Sequence, residues 1–358
     1  MLRKPLPVLS SAGLLAALAL TVASLTGDVS GTPLGSSPAA SQASKARFAV
    51  IGDYGYAGQP EADVADLVKG WNPDFIITTG DNNYPDGASA TIDANIGQYY
   101  HQFIYPYTGS YGAGAIQNLF FPSLGNHDWT TPGAQPYLDY FALPSSERYY
   151  DFAWGPVHLF AIDSDPNEAD GTSSTSTQAS WLQAGLTAST EPWDLVYMHH
   201  PPYSSGPHGS TSRTQWPYQS WGADAVLAGH DHTYERLVVN DFPYFVVGLG
   251  GRSIYSFGSP VSGSQVRFNA DYGAMLVDAS PDQITFKFFS RAGALIDSYG
   301  IQSPAVGGIA RLPDAARPPT VSDSPSTDHG LPTILVVLGA TAIAVVTVAW
   351  YWGRRPSS

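Results

Sequence analysis

The stretch Phe75-Ile-Ile-Thr-Thr-Gly-Asp-Asn-Asn-Tyr84, FIITTGDNNY, decides how the chain is read. A β-branched apolar run of strand length ends in a Gly-Asp turn, and a tyrosine follows the acid three residues later. A carboxylate and a phenol at the exit of a buried strand are both donors for a metal ion. The same grammar recurs along the chain. Phe48 to Ile51 runs into Gly52–Asp53–Tyr54–Gly55, and Leu119 to Leu124 into Gly125–Asn126–His127–Asp128. Asp194 to Met198 runs into His199–His200–Pro201, and Ala225 to Ala228 into Gly229–His230–Asp231–His232. Each stretch alone is an ordinary turn. Together they put ligand-type residues at the carboxyl ends of successive strands, where open α/β sheets build their sites.

The segments between these turns fit that layout. Residues 60–71 and 178–188 carry helical spacing, while His158–Ile162 and Tyr244–Val247 read as further strands. From Ala274 to about Gly300 the pattern predicts two or three antiparallel strands. Strand–helix–strand order followed by a β-rich second half predicts α/β layers, with a second sheet packed on the first. Residues 99–118, rich in Tyr and Gly, read as a long ordered loop and a candidate lid.

Composition narrows the chemistry. The chain has 358 residues, 43% of them hydrophobic and 13% aromatic, enough for a packed core. Its formal net charge of −14 argues against a broad nucleic-acid-binding face. It also means that a phosphate site must generate its own local positive field. The absence of cysteine excludes a thiolate nucleophile, sulfur-ligated metal and a disulfide framework. The donors that remain are carboxylate, imidazole, amide and phenol, which suit Fe, Zn or Mn, and the histidines argue against Ca. A phenolate is a hard anion, so Tyr84 points to Fe(III) at one position.

The ends of the chain carry a different signal. Arg3 and Lys4 before an apolar run read as a signal peptide over 1–27, followed by a flexible spacer over 28–45. The folded domain is expected over 46–303 and a Pro/Ser-rich stalk over 304–330. Residues 331–352 are free of charge, end in Trp350–Tyr351–Trp352 and precede Arg354–Arg355, which predicts a transmembrane helix with a basic tail over 353–358. The expected location is the cell surface, with the catalytic domain outside the membrane that anchors it.

In chain order, the motifs Asp, Gly-Asp-x-x-Tyr, Gly-Asn-His-Asp, Val-x-x-His and Gly-His-x-His resemble those of the metallophosphoesterases, the calcineurin-like superfamily. They are most similar to its purple, tartrate-resistant acid phosphatase branch. The likeness covers roughly residues 46–300. It implies a four-layer αββα sandwich of two mixed sheets and a dinuclear metal centre. It further implies hydrolysis of phosphate monoesters by attack of a metal-bound hydroxide. Carried over residue by residue, Asp53, Tyr84 and His232 bind the first ion, Fe(III). Asn126, His199 and His230 bind a divalent partner, Fe, Zn or Mn, and Asp81 bridges the two. Val196 selects His199 over His200 as the Val-x-x-His ligand. The wider superfamily has a histidine two residues after its first aspartate; Gly55 stands there in this chain, and Tyr84 offsets the lost imidazole. His127 and His208 are the candidates for delivering a proton to the leaving oxygen. The bland reading of His127 is a partner of Asp128, and that of His208 an exposed loop residue.

Rival chemistries fit less well. Ile162–Asp163–Ser164–Asp165 resembles the aspartyl nucleophile motif of haloacid dehalogenase-type enzymes, but Asn167 stands where Thr or Val is wanted, and a strand-ending turn is the simpler reading. Gly248–Leu249–Gly250–Gly251 has no helix after it to serve as a nucleotide cradle. A phosphodiesterase on the same fold, or a membrane-tethered binding module with an inactive metal site, are the alternatives. Arg213 and Arg252 are read first as solvated surface charges.

Overall fold

Alternation along single strands sets the architecture. In a computed structural model, which describes residues 45–303, Phe48 and Val50 of strand β1 (Ala46–Ile51) enter one apolar cluster, while Ala49 and Ile51 enter another. Strand β2 (Phe75–Thr78) divides in the same way, Phe75 and Ile77 against Ile76. A strand apolar on both faces must be covered on both. Strand β3 (Phe120–Pro122) lies beside β2. β4 (Tyr150–Trp154), β5 (Val157–Ala161), β6 (Trp193–Tyr197) and β7 (Ala225–Ala228) follow in the chain. Next come β8 (Tyr234–Val239), β9 (Phe242–Val247) and β10 (Ser264–Phe268). The last three are β11 (Gly273–Ser280), β12 (Gln283–Ser290) and β13 (Leu295–Gln302).

These strands make two mixed sheets. The first has six strands in the order β13-β12-β11-β1-β2-β3, and the second seven in the order β10-β8-β9-β7-β6-β5-β4. β1, β2 and β3 are parallel, and so are β5, β6, β7 and β9; the remaining pairings are antiparallel. The largest apolar cluster takes residues from both sheets, among them Phe48, Phe75, Leu195, Tyr197, Phe245 and Phe286. Helix α1 (Gln59–Gly70) covers the outer face of the first sheet through Val64, Ala65 and Val68. Helix α2 (Thr177–Ala188) covers the second sheet through Ala179, Leu182 and Leu186. Pro60 opens α1, where its missing N–H costs nothing. The Ser176 hydroxyl accepts the Ala179 N–H at 3.1 Å and caps α2.

The expected fold class is corrected: the described residues form two mixed sheets in an α/β fold, without the transmembrane helix it included. Among the described residues no helix is long and apolar enough to cross a membrane. The two longest, α1 and α2, have 12 residues each. At ~1.5 Å per residue that is ~18 Å, well short of the ~30 Å hydrocarbon layer. The stretch 331–352 lies outside the described residues, which lend no support to the membrane as a partner. The signal peptide, all of the spacer but Lys45, the stalk and the basic tail also lie outside them.

Three strands escaped sequence reading. β4 and β10 are edge strands with half-exposed polar positions, which blurs their period. β8 (YERLVV) hides two buried charges: Glu235 accepts from Ser205 and Ser264, and Arg236 pairs with Asp297 at 2.8 Å. The segment 99–118 begins with short helical turns through Phe103 and then runs without regular structure to β3.

Candidate metal centre

The parallel strands point their carboxyl ends to a common edge, where loops from both sheets are stitched together. The Asp53 N–H donates to the Gly80 carbonyl at 3.1 Å, and the Gly229 N–H to the His199 carbonyl at 2.9 Å. Between the sheets, the Thr79 hydroxyl donates to the Val247 carbonyl at 3.2 Å, and the His230 N–H to Asp53 Oδ2 at 2.9 Å. Asp53, Asp81 and His230 adopt left-handed backbone conformations, with φ of 54°, 54° and 70°. Such conformations are uncommon for residues with side chains and gather at functional sites.

The seven residues expected to hold metal are brought together. The Tyr84 hydroxyl donates to Asp81 Oδ2 at 2.8 Å and to Asp53 Oδ1 at 3.2 Å, and lies 3.1 Å from His232 Nε2. His232 Nε2 is 3.3 Å from Asp53 Oδ1. One donor atom from each of Asp53, Asp81 and His232 falls within 4.8 Å of the others. A second group adjoins the first. His199 Nε2 is 3.0 Å from Asn126 Oδ1 and 3.1 Å from His230 Nδ1. Asp81 touches both groups, since its Oδ1 is 3.4 Å from His199 Nε2. His200 packs its ring 4.5 Å from that of His230, but its Nδ1 and its backbone N–H are both taken by the Ser164 hydroxyl.

The electrostatics of the cluster are those of a site built for positive charge. Asp53, Asp81, Tyr84, His199 and His232 are all buried. Burial opposes ionisation of Asp81, but His199 and His127 outweigh it and hold the carboxyl well below its usual range. Burial works against charge on His199 too, yet Asp81 beside it pushes the imidazole up to about 10. Burial, then the charges of Asp81 and Asp53, drive the Tyr84 phenol well above 10.0. Burial and the neighbouring His199 push His230 down. The phenol therefore keeps its proton beside two carboxylates and gives it up only if a cation enters. With two carboxylates, one phenol, one amide and three imidazoles, the donor set fits cations of the iron, zinc or manganese type.

Two imidazoles are aimed by partners that sequence reasoning missed. His199 Nδ1 bonds the Thr79 carbonyl at 2.9 Å, and His232 Nδ1 the Ser253 hydroxyl at 2.6 Å, so both present Nε2 inwards. Asn82, within the opening motif, is the knot of the loops. Its Oδ1 accepts from Thr78 Oγ1 at 2.6 Å and Tyr54 Oη at 3.0 Å, and its Nδ2 donates to the Ser123 carbonyl at 2.7 Å and Asp128 Oδ2 at 2.9 Å. Asn82 was legible in the sequence only as a neighbour of Asp81. Asp128 is occupied by Asn82 and by the Gly125 N–H, so it is not the partner of His127. His127 Nδ1 instead meets the Pro85 carbonyl, and its backbone N–H donates to Asp81 Oδ1 at 2.9 Å. His208 is exposed, with its ring centre 4.3 Å from that of His230 and its N–H on Asp231 Oδ1 at 2.9 Å.

Gly55 explains the departure from the Asp-x-His pattern. A Cβ there would stand 1.7 Å from the Asn82 carbonyl oxygen, so no side chain fits this backbone. The Asp163–Asp165 segment is a turn: Asp163 Oδ1 accepts the Asp165 N–H at 2.9 Å and Asp165 Oδ1 the Asn167 N–H at 2.9 Å.

Comparison with known proteins agrees with this geometry. The family model of the calcineurin-like phosphoesterases matches residues 46–234. Purple acid phosphatase 17 of Arabidopsis thaliana is 27% identical over 244 residues, spanning 58% of this chain and 68% of that protein. Tartrate-resistant acid phosphatase type 5 of Mus musculus is 25% identical over 244 residues, spanning 57% of this chain and 72% of its own. The solved purple acid phosphatase PPD1 of yellow lupin superposes with a TM-score of 0.59 at 18% identity, over 73% of this chain and 54% of its own. Relatives of this type imply a dinuclear metal centre and a phosphoester hydrolase. The matched span includes every candidate ligand, from Asp53 to His232, and the chain belongs to the calcineurin-like phosphoesterase family.

Proposed function

We propose that the chain is a metal-dependent phosphatase that hydrolyses phosphate monoesters at a pair of cations. One observation carries the reading: donor atoms of Asp53, Asp81, Tyr84, Asn126, His199, His230 and His232 meet within hydrogen-bonding range on loops far apart in sequence. Asp53, Tyr84 and His232 would hold one ion, Asn126, His199 and His230 the other, and Asp81 would be shared. The phenol favours Fe(III) in the first position, and Fe, Zn or Mn suits the second. When bound, such ions polarise the phosphoryl group and lower the pKa of water towards ~7 or below.

The chain's own residues would handle orientation and the proton. Because His127 Nδ1 is engaged by the Pro85 carbonyl, Nε2 remains to pass a proton to the leaving oxygen. The bond from the His127 N–H to Asp81 fixes that ring relative to the shared carboxylate. The exposed His208 imidazole, packed on His230, is the second donor that a substrate from solvent would meet.

Metal analysis, a visible spectrum and hydrolysis of mono- and diesters on one sample test the reading. The expected result is two equivalents of metal, a visible band with iron, and faster turnover of monoesters. Faster turnover of diesters would make the protein a phosphodiesterase. Bound metal without turnover would favour a binding module, and a protein that takes up no metal would end the proposal.

A further inference from the structure

Arg252 has no role in the chemistry above, yet it sits against the centre. Its backbone N–H donates to the Asp53 carbonyl at 3.0 Å, which ties it to the first ligand loop. Its guanidinium carbon stands 4.2 Å from the ring centre of Tyr56 and 5.2 Å from that of Tyr84. Arg47, Arg148, Arg236 and Arg291 are neutralised by Asp278, Glu168, Asp297 and Asp271, and Arg213 and Arg267 donate to the Ser164 and Gly258 carbonyls. Among the described residues no carboxylate pairs with Arg252 and no side-chain hydrogen bond engages it. The chain carries 30 acids against 16 bases, so an acid to neutralise Arg252 would have been easy to supply.

The position of the group argues for a ligand. Arg252 is half-buried, so part of its hydration is already lost. The tyrosine rings hold it by stacking, which leaves N–H edges free for a planar, two-point contact with an oxyanion. One of those rings is Tyr84, whose hydroxyl reaches Asp81 and Asp53; the other, Tyr56, is 46% exposed to solvent. An oxyanion arriving at the candidate centre therefore passes within reach of this guanidinium.

We infer that Arg252 is a substrate-contacting residue that binds an oxyanion of the phosphate ester, at the site of the phosphatase reading and dependent on it. The oxyanion belongs either to the phosphoryl group or to an acid on the organic part, and the two sources are separable. The test uses the metal-loaded full chain and its Arg252→Ala and Arg252→Lys variants. Inorganic phosphate binding is measured by calorimetry. KM and kcat are measured for a monoester with an uncharged organic part and for one carrying a carboxylate.

A lost charge-assisted hydrogen bond predicts phosphate binding weakened by about tenfold to a hundredfold in Arg252→Ala. KM should rise for both esters, with metal content unchanged. Lysine keeps the charge but not the two-point contact, so Arg252→Lys should recover only part. Unchanged phosphate binding with a raised KM for the carboxylate ester alone would assign the oxyanion to the organic part. Were Arg252 only a brace for Tyr84, metal content or the visible band would change and phosphate binding would fall only in proportion to the metal lost, and that result overturns the inference. So does a change of less than about twofold in every binding measure. If the wild type turns no ester over, the phosphatase reading fails by itself, and phosphate binding to wild type and variants still decides Arg252.

Discussion

Two single residues decide what the first ligand loop can hold. Gly55 leaves no room for a side chain, because the Asn82 carbonyl occupies the space a Cβ would need, at 1.7 Å. Gly55→Ala must push apart the loops that carry Asp53 and Asp81. It should cost about 3 kcal/mol, the upper part of the overpacking range, and lower metal content, read from urea unfolding and metal analysis. A stable variant with full metal would show that these loops yield easily. Tyr84 makes the complementary case. Its hydroxyl reaches Asp53, Asp81 and His232, while its ring packs against His127 at 4.3 Å. Tyr84→Phe keeps the ring and deletes only the oxygen. The iron-loaded variant should lose its visible band yet fold normally by circular dichroism, and a coloured variant would rule Tyr84 out as the phenolate.

The strands that deliver these loops depend on the packing between the sheets. Phe75 stacks on Phe48 at 4.8 Å and meets Phe121, also of the first sheet, at 5.9 Å. It also touches Phe152 at 5.6 Å and Trp154 at 5.1 Å, both on β4 of the second sheet. Phe75→Ala opens a cavity among four aromatic side chains at the start of the strand that leads to Asp81. The expected loss is ~3–5 kcal/mol in urea unfolding, and a loss below ~1 kcal/mol would mean that the sheets close over the gap. Buried parallel strands such as β1, β2 and β6 were legible because both faces are apolar and Gly or His ends the run. β8 was not, because Glu235 and Arg236 are satisfied by partners remote in sequence, which no local pattern reveals. For the same reason the convergence of the ligands was legible only as recurring turns. The partners that aim them, Thr79 for His199 and Ser253 for His232, left no signal of their own.

The molecule as a whole is acidic, and part of that acidity is stored away from the candidate centre. Asp194 and Asp224 stand at the opposite ends of β6 and β7 from the ligand loops, joined by the Asp194 N–H on Asp224 Oδ2 at 2.8 Å and the Asp224 N–H on the Asp194 carbonyl at 2.8 Å. Burial pushes Asp194 from 3.8 up to about 6, with Ser189 and His158 opposing and Glu191 adding. Burial also pushes Asp224 from 3.8 up to about 6; the bond from the Asp194 backbone opposes this and the Asp194 charge adds to it. Between about pH 4 and about pH 6 the folded chain thus keeps protons that the unfolded chain has released. Stability therefore falls as pH rises through that window, by ~1–2 kcal/mol for each group once partial exposure is discounted. Asp224→Asn keeps an acceptor for the Asp194 N–H and removes one of these protons. It should match the wild type at pH 4, exceed it by ~1 kcal/mol at pH 7, and flatten the slope between, all read from urea midpoints. Parallel stability curves for the two proteins would mean that Asp224 is ionised in the fold at no cost, and that the acid preference arises elsewhere.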